Sequence, residues 1–566
     1  MRELGINQRA QHGIRLATIG ILIGTTVFAG CKRQRSSNGE VSRNWVPERQ
    51  EKYMGVPAAD IQAALAQRLA AKPVAPVTED QWKHVRKLYS TFSQQLLWLG
   101  DKGVHEPRVA ALLDRIAAAD SDAIDLNTYP LAELSRALTS LGDKPTAQQI
   151  AEADAMLSAA FVTYGENMFT GQFSPQGLGQ AWHINSQDEK VDSALSLSIR
   201  EDDFTAALVR MRPQDPAYDS LRTEFGRYRA AVARGGWPVI PKGTALSRGD
   251  RGSSARMAAL RARLRAEGYL ADDSSASNVF NRRMAGAIAD YQRHHAIGVD
   301  SALGPETVAS LNVPADYRAA QVAANLERYR WMPRTLGTRY ILVNVPQFYL
   351  HAYDSGQQTL DMKVIVGKEY EDKATPVFSD SMEYVVFRPY WLVTPTIAAK
   401  EIFPKGPEYL AENDMEVYND HGREAVRQRP GPKNALGFVK FLFPNDYNIY
   451  LHDTPNHELF RKEVRAFSHG CIRVENATKL AEWVLGWDAA RVDAAMHGQN
   501  NRQIELPSKI PVYIVYFTAY FEDAHVNFSN DLYDRDSKLV QRVHAAVVTP
   551  ETVAAQQALR HLVTSD

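Results

Sequence analysis

The chain has 566 residues, 45% of them hydrophobic and 23% charged, with 65 basic against 66 acidic side chains and a formal net charge of −1. This balance excludes a basic field able to hold a polyanion, so no nucleic-acid partner is expected, and the apolar fraction excludes a disordered chain. At about 150 residues per domain the length exceeds one core and points to about three or four folded units.

Arg2, Arg9 and Arg15 precede an apolar run, Leu16 to Phe28, that ends in Ala29-Gly30-Cys31. This is the pattern of a secretion signal, short for a spanning helix, which needs about 20 apolar residues. Small residues directly before a cysteine resemble the lipoprotein processing site, the lipobox, although Phe28 stands where that site usually carries leucine. The resemblance implies a signal peptide over 1–30 and a lipid on Cys31; the other reading of the run is an uncleaved anchor helix. Either one attaches the chain to a membrane and puts the folded part in the periplasm or cell envelope. Cys471 is then a lone thiol in an oxidising compartment. Its presence there calls for a function, an inert buried thiol being the bland alternative.

Residues 31–80 read as a tether, since 32–50 are polar and aperiodic. Over 81–240 the pattern is helical: Leu88, Phe92, Leu96 and Leu97, then Val109, Leu112, Leu113 and Ile116, recur at spacings of three and four. No tight cluster of titratable groups stands out along this stretch, which reads as scaffold. A three-helix unit follows over 246–314, with Met257, Leu260 and Leu264 on one stripe and Met284, Ile288 and Tyr291 on another. Gly268 stops its first helix, and Pro305 suits the first turn of its third, with Val308 and Leu311 facing inward.

From 330 to 525 the period changes to two, as in Tyr340–Val345 and Met362–Val366, with Asp354-Ser355-Gly356 as a turn. Tyr384–Phe387 and Val439–Phe443 continue the strands, Ala477–Leu485 is a helix, and Val512–Tyr516 is a last strand. An insertion over 393–430, helical from Ile397 to Val417, is placed to cap a site; 526–566 is a C-terminal extension. The expected class is multidomain α+β: a helical scaffold, a small three-helix domain and a β-rich domain with a capping insertion.

The chemistry-bearing segment is Tyr450-Leu451-His452-Asp453-Thr454 followed by Ser468-His469-Gly470-Cys471-Ile472-Arg473. A free thiol has a pKa of about 8.5, so a working cysteine wants a base within hydrogen-bond reach. If its segment is extended, His469 points the same way as Cys471; His452, on a separate strand, can be aimed at sulfur from across the sheet. A carbonyl at Asp453 is the expected acceptor for the second ring nitrogen of His452, because the Asp453 side chain falls on the opposite face. Gly470 fits a close approach to substrate, with N–H groups around Gly470 and Cys471 for an oxyanion. Tyr450 offers a hydroxyl, Ser468 and Asp453 further polar groups, and Arg473 either a carboxylate clamp or a guanidinium that orders its own loop.

His452, fifteen intervening residues, then Ser468-His469-Gly470-Cys471 and Arg473 resemble the signature of the YkuD-type L,D-transpeptidases. Arg330-Trp331-Met332-Pro333, Val364–Gly367, Thr375–Phe378, Pro430–Gly437 and Leu451–Pro455 are similar to the large, scaffold-bearing subgroup of that family. Arg248–Gly252, Leu264–Tyr269, Tyr291–His295 and Gly304–Thr307 resemble the type 1 peptidoglycan-binding domain. The resemblance implies Cys471 as nucleophile, His452 as general base, His469 and Gly470 as site-shaping residues, and 393–430 as a substrate cap. It implies transfer on peptidoglycan tetrapeptide stems through a thioester, joining third-position diamino acids with release of D-alanine. Water as acceptor would make a carboxypeptidase, a lipoprotein lysine an anchoring enzyme, and carbapenems would acylate the same thiol. No cofactor or metal is implied.

Two rivals differ in kind. His452, His457, His469 and Cys471 are residue types that ligate zinc, though their spacing lacks a Cys-x-x-Cys or His-x-x-x-His pair. A non-enzymatic wall-binding anchor would use the small helical domain alone.

Overall fold

The computed structural model describes residues 44–184, 190–271, 277–368, 373–547 and 557. Cys31 and the apolar run before it lie outside the described residues. Among those described, no helix is long and apolar enough to cross a membrane.

Helices α1 (Glu79–Thr91), α2 (Pro107–Ala117) and α3 (Ala147–Thr170) share one apolar core, and a helix at Ala58–Ala70 buries Ile61, Leu65 and Leu69 in it, so this part of the expected tether is folded onto the scaffold. Thr78 and Thr146 start α1 and α3 with capping boxes, their hydroxyls accepting from Gln81 and Gln149 N–H groups while those glutamines reach back. The 3.6 period carries past the end of α1 through Phe92, Leu96 and Leu97, but the helix stops at Thr91. Ser93 and Gln94 turn left-handed, with φ 55° and 58°. The Asp154 carboxylate of α3 then accepts from the N–H groups of Leu97, Trp98 and Leu99 at 2.9–3.0 Å. A buried carboxylate thus replaces the helical carbonyls as acceptor for these amides.

Titratable groups do cluster in this region once folded. Asp122, fully buried, meets Arg115 at 3.0 Å and the Tyr218 hydroxyl of α4 (Pro216–Ala233) at 3.1 Å. Arg330, also buried, donates to the Tyr218 hydroxyl (3.1 Å), the Asp122 carbonyl (2.7 Å) and Glu327 (2.5 Å). The network joins the scaffold to the segment that enters the β domain.

The small unit consists of α5 (Ser254–Ala266), α6 (Arg282–His294) and α7 (Pro305–Leu311). Gly268, at φ +83°, follows α5, and Met257, Leu260, Leu264, Met284, Ile288, Tyr291 and Leu311 form the unit's core. Helix α8 (Ala315–Arg330) is buried nearly all round; its alanines 319, 320, 323 and 324 let neighbours approach closely.

The β domain contains β1 (Arg339–Asn344), β2 (Tyr349–Asp354), β3 (Gln357–Gly367), β4 (Val377–Phe387), β5 (Met415–Asp420), β6 (Arg423–Gln428), β7 (Val439–Leu442), β8 (Leu451–His452), β9 (Ala466–Ser468), β10 (Ile472–Val474) and β11 (Arg502–Val515). Hydrogen bonding runs β7-β8-β10-β3-β2-β1-β11-β4, and β4 pairs again with β7, so the path closes on itself. Ile341, Val343, Leu350, Ala352, Val364, Phe441, Leu451 and Ile472 point inward to one core. The alternation of period two therefore leaves Lys440, His452 and Arg473 on the outer face. A hairpin, β12 (Ala519–Glu522) with β13 (His525–Phe528), follows β11.

The insertion is helical only in its first half. Pro395–Ile397, a π turn at Ala398–Ile402 and Gly406–Glu412 precede the β5–β6 hairpin, so Met415–Val417 is strand rather than helix. Val393, Ala398, Ile402 and Val426 form a core of its own.

Candidate active site

Strand β8 pairs parallel with β10, Leu451 opposite Ile472 and His452 opposite Arg473. On the other side β7 places Lys440 opposite His452. Lys440, His452 and Arg473 thus form one row across three strands. Cys471 and Tyr450, one residue before each registered pair, form the next row. The pairing is held by the Ile472 N–H donating to the Tyr450 carbonyl at 3.1 Å.

His452 is buried, and its Nδ1 lies 2.5 Å from the Asp453 carbonyl oxygen. A carbonyl only accepts, so Nδ1 carries the proton and Nε2 holds the lone pair. Burial, with Arg473 and Lys440 adding positive charge, pushes the imidazole pKa down to about 3. The ring is therefore neutral at physiological pH.

Cys471 is half-buried. Burial pushes its thiol up, while hydrogen bonds from the Tyr450 backbone and hydroxyl and the charges of Lys440 and Arg473 pull it back. The Sγ–H is directed at the Asn448 carbonyl, 3.5 Å away, rather than at the imidazole. The Tyr450 and His452 rings lie with centroids 5.6 Å apart, tilted by 58°, and Lys440 Nζ lies 4.3 Å above the Tyr450 ring.

The turn before the cysteine is not extended. Gly470 adopts φ +113°, a left-handed conformation natural to glycine, and a Cβ there would stand 3.1 Å from Ile449 Cδ1. Ser468 Oγ donates to the Cys471 carbonyl (2.5 Å) and accepts from the Gly470 N–H (3.1 Å), while Thr375 Oγ1 donates to the Gly470 carbonyl (2.8 Å). Ser468 thus serves the turn, and the Gly470 N–H is already engaged. His469, the residue before that glycine, reaches the insertion. Its Nε2 meets Glu401 Oε1 of the π turn at 2.7 Å, and Lys373 Nζ meets the same oxygen at 3.2 Å.

Asp453 also departs from the site. Its Oδ2 accepts from the Phe438 N–H at 2.8 Å, and Gly437, at φ +60°, has no room for a Cβ beside that carboxylate. The Arg473 guanidinium stays in the site row, partly buried, its pKa lowered by burial. Among the described residues, no three of the His, Cys, Asp and Glu side chains converge to hold a metal. Sequence reasoning missed Lys440, Glu401 and Asn448. Lys440 was within reach, since the alternation of Val439–Phe443 already sets it opposite the core face.

A closed β structure with this His–x15–Ser-His-Gly-Cys segment on its outer face defines a YkuD-type domain. Residues 338–514 match the family model described as the L,D-transpeptidase catalytic domain. Residues 83–225 match a scaffold domain, and 253–311 a "Putative peptidoglycan binding domain". The chain thus carries the catalytic domain of the YkuD L,D-transpeptidase family together with a scaffold and a peptidoglycan-binding module.

A Haemophilus influenzae protein named "Putative L,D-transpeptidase" is 31% identical over 242 residues, 39% of this chain. The match spans about half of that relative's length, 48%. Of solved structures, the L,D-transpeptidase of Xylanimonas cellulosilytica (residues 123–326) aligns at 17% identity over 49% of this chain and 99% of its own, with TM-score 0.17. A fused Zn-dependent amidase/peptidase/peptidoglycan-binding protein of Clostridium acetobutylicum aligns at 15% over 48% and 100%, with TM-score 0.15.

Proposed function

We propose that the protein is a cysteine-dependent L,D-transpeptidase of the cell envelope that joins third-position diamino acids of peptidoglycan stems. The observation that carries this reading is a neutral imidazole, its Nδ1 tied to the Asp453 carbonyl, on the same outer face as Cys471 and one strand away. Diagonal neighbours across two strands lie about 7–8 Å apart, within reach of aromatic side chains. Rotation of Cys471 about χ1 away from Asn448 turns the thiol toward Nε2, a motion of picoseconds to nanoseconds.

With the thiol raised and the imidazole lowered, the resting pair is neutral. Proton transfer accompanies attack: Sγ bonds to the carbonyl carbon of the third stem residue as its proton passes to His452 Nε2. The oxyanion forms beside the Tyr450 hydroxyl and the Cys471 N–H. Its collapse breaks the amide, the terminal D-alanine leaves with the proton from His452, and a thioester remains. The side-chain amine of a second stem, deprotonated by Nε2, attacks that thioester; the C–S bond breaks and Sγ takes the proton back from Nε2, restoring the neutral pair. A carbapenem would acylate the same sulfur.

In this reading 81–240 is scaffold, 246–314 binds the wall, 330–525 is catalytic with 393–430 as substrate cap, and 526–566 extends beyond it. Cys31 would carry the lipid that ties the protein to a membrane. Mass spectrometry of the protein incubated with a disaccharide tetrapeptide tests the chemistry. A Cys471 acyl adduct with D-alanine release is expected, and a cross-linked dimer among the products identifies the stem amine as acceptor. No adduct and no D-alanine would reject the assignment.

A further inference from the structure

A cleft of about 790 Å³ lies between the small helical unit and the β domain, away from Cys471 and His452. Its floor is the outer face of the sheet: Tyr349 and His351 of β2, Asp361 and Lys363 of β3. One wall is α6 with Asp290, Arg293 and His294, joined by Tyr269 and by His525 of β13. The other is the segment Arg461–Arg465, which continues directly through β9 into Ser468 and Cys471. The Arg465 guanidinium anchors this wall on the Val364 and Phe348 carbonyls at 3.2 and 3.0 Å.

The lining pairs flat rings with charges of both signs. His294 and His525 stack at 4.5 Å and 13°, Tyr269 lies parallel to His525 at 5.7 Å and 17°, and Tyr349 stacks with His351 on the floor at 6.0 Å and 15°. Arg293, Lys363 and Arg461 are interleaved with Asp290, Asp361 and Asp523. A polyanion would meet as many like charges as opposite ones, and an acyl chain would strip water from the charged groups of the lining, among them the Arg293–Asp290 pair. A neutral, hydroxyl- and amide-rich ligand with apolar ring faces satisfies both features, because its C–H faces lie on the rings while its polar edges bond to the ions.

We propose that this cleft binds the amino-sugar backbone of a glycan strand and holds it beside the segment that leads to the nucleophile. The proposal rests on the transpeptidase reading for its purpose, but its binding step stands apart from turnover. From Arg465 to Cys471 is six residues, so an extended segment spans at most about 20 Å. A stem borne on the docked strand is then within one disaccharide or two of the thiol.

The test uses the full chain and the β-1,4-linked N-acetylglucosamine hexamer, with calorimetry for binding and D-alanine release from a soluble disaccharide tetrapeptide for chemistry. The wild type is expected to bind the hexamer, and Arg293→Ala with His525→Ala to weaken binding at least tenfold, with any loss in release appearing in KM for the disaccharide tetrapeptide rather than in kcat. Lys363→Ala, on the sheet that floors the cleft, is expected to weaken it as well, which separates a cleft effect from a fault in the helical unit. Absence of hexamer binding by the wild type, or equal binding by all variants, overturns the proposal. Competition by a glycan-free stem peptide would also overturn it, assigning the cleft to peptide. Loss of release in the wild type instead overturns the transpeptidase reading.

Discussion

His469 Nε2 and Glu401 Oε1 stand 2.7 Å apart, joining the turn that presents Cys471 to the π turn of the capping insertion. Lys373 Nζ, 3.2 Å from the same oxygen, completes the link; burial works to raise the Glu401 carboxyl, and the hydrogen bonds from His469 and Lys373 outweigh it and hold the carboxyl below the usual carboxylate range. The insertion has its own small core, and this contact ties it to the cysteine turn, while Gln428 and Glu412 tie it to the segment 433–435.

Replacing Glu401 by Gln removes the charge and keeps the shape. The pair is partly exposed, so about 0.5–1.5 kcal/mol, or roughly two- to tenfold, is expected to be lost. On the proposed reading, with 393–430 capping substrate and His452 moving the proton, the loss should appear in KM for the disaccharide tetrapeptide more than in kcat. Equal kcat and KM in wild type and variant would show that the tie does not position the cap.

Thiol reactivity provides a second measurement. Burial raises the Cys471 thiol, so alkylation by iodoacetamide followed against pH should have its midpoint above the ordinary value near 8.5. His452→Ala should leave that midpoint nearly unchanged, since the resting thiol faces Asn448, yet lower kcat/KM by about 10²–10⁴. A midpoint near 6 would mean a preformed thiolate–imidazolium pair and a different mechanism.

Acid stability follows from two buried imidazoles. His452 and His295 have folded pKa values of about 3, burial being the main cause in each. Between about pH 6.5 and 3 the unfolded chain binds protons at both that the folded chain does not, so stability falls as pH falls through this window. The slope is about 1.4 kcal/mol per pH unit for each group, and it ends below about pH 3 where both states are protonated. Urea midpoints from pH 7 to 4 should show the decline, and His295→Gln should reduce it by about one proton's share. An unchanged slope would contradict a neutral His295.

Asp154 carries the fourth prediction. It accepts from three backbone N–H groups and from the Tyr89 hydroxyl at 2.5 Å. Asp154→Ala leaves several buried donors without a partner, at a cost of roughly 3–5 kcal/mol read from denaturant unfolding of the full chain. A cost below about 1 kcal/mol would mean water replaces the carboxylate.

The helices of the small unit and the strands of the β domain were legible because each buries one face, and a single buried face writes its period into the sequence. Met257–Leu264 and Tyr340–Val345 show this in its two forms. Leu96 and Leu97 misled for the same reason: they are buried as a helix would bury them, but the amides of Leu97, Trp98 and Leu99 answer to Asp154, 55–57 residues away. The Met415–Val417 strand was hidden because the insertion exposes most of its surface and shows little periodicity. The Asp453 carbonyl as partner for His452 was readable from strand alternation alone.

By itself the sequence determined the alternation that puts Lys440, Tyr450 and His452 on one face, and the His-to-Cys spacing that names the chemistry. Tertiary structure decided what each group meets. It set Cys471 beside Tyr450 in register, turned His469 at Gly470 toward Glu401, and used Asp453 on Phe438. Those choices depend on pairings between segments far apart in the chain, and a one-residue shift in any of them would move every side chain to the opposite face. Local composition does not encode that register; closure of the sheet around a shared core does.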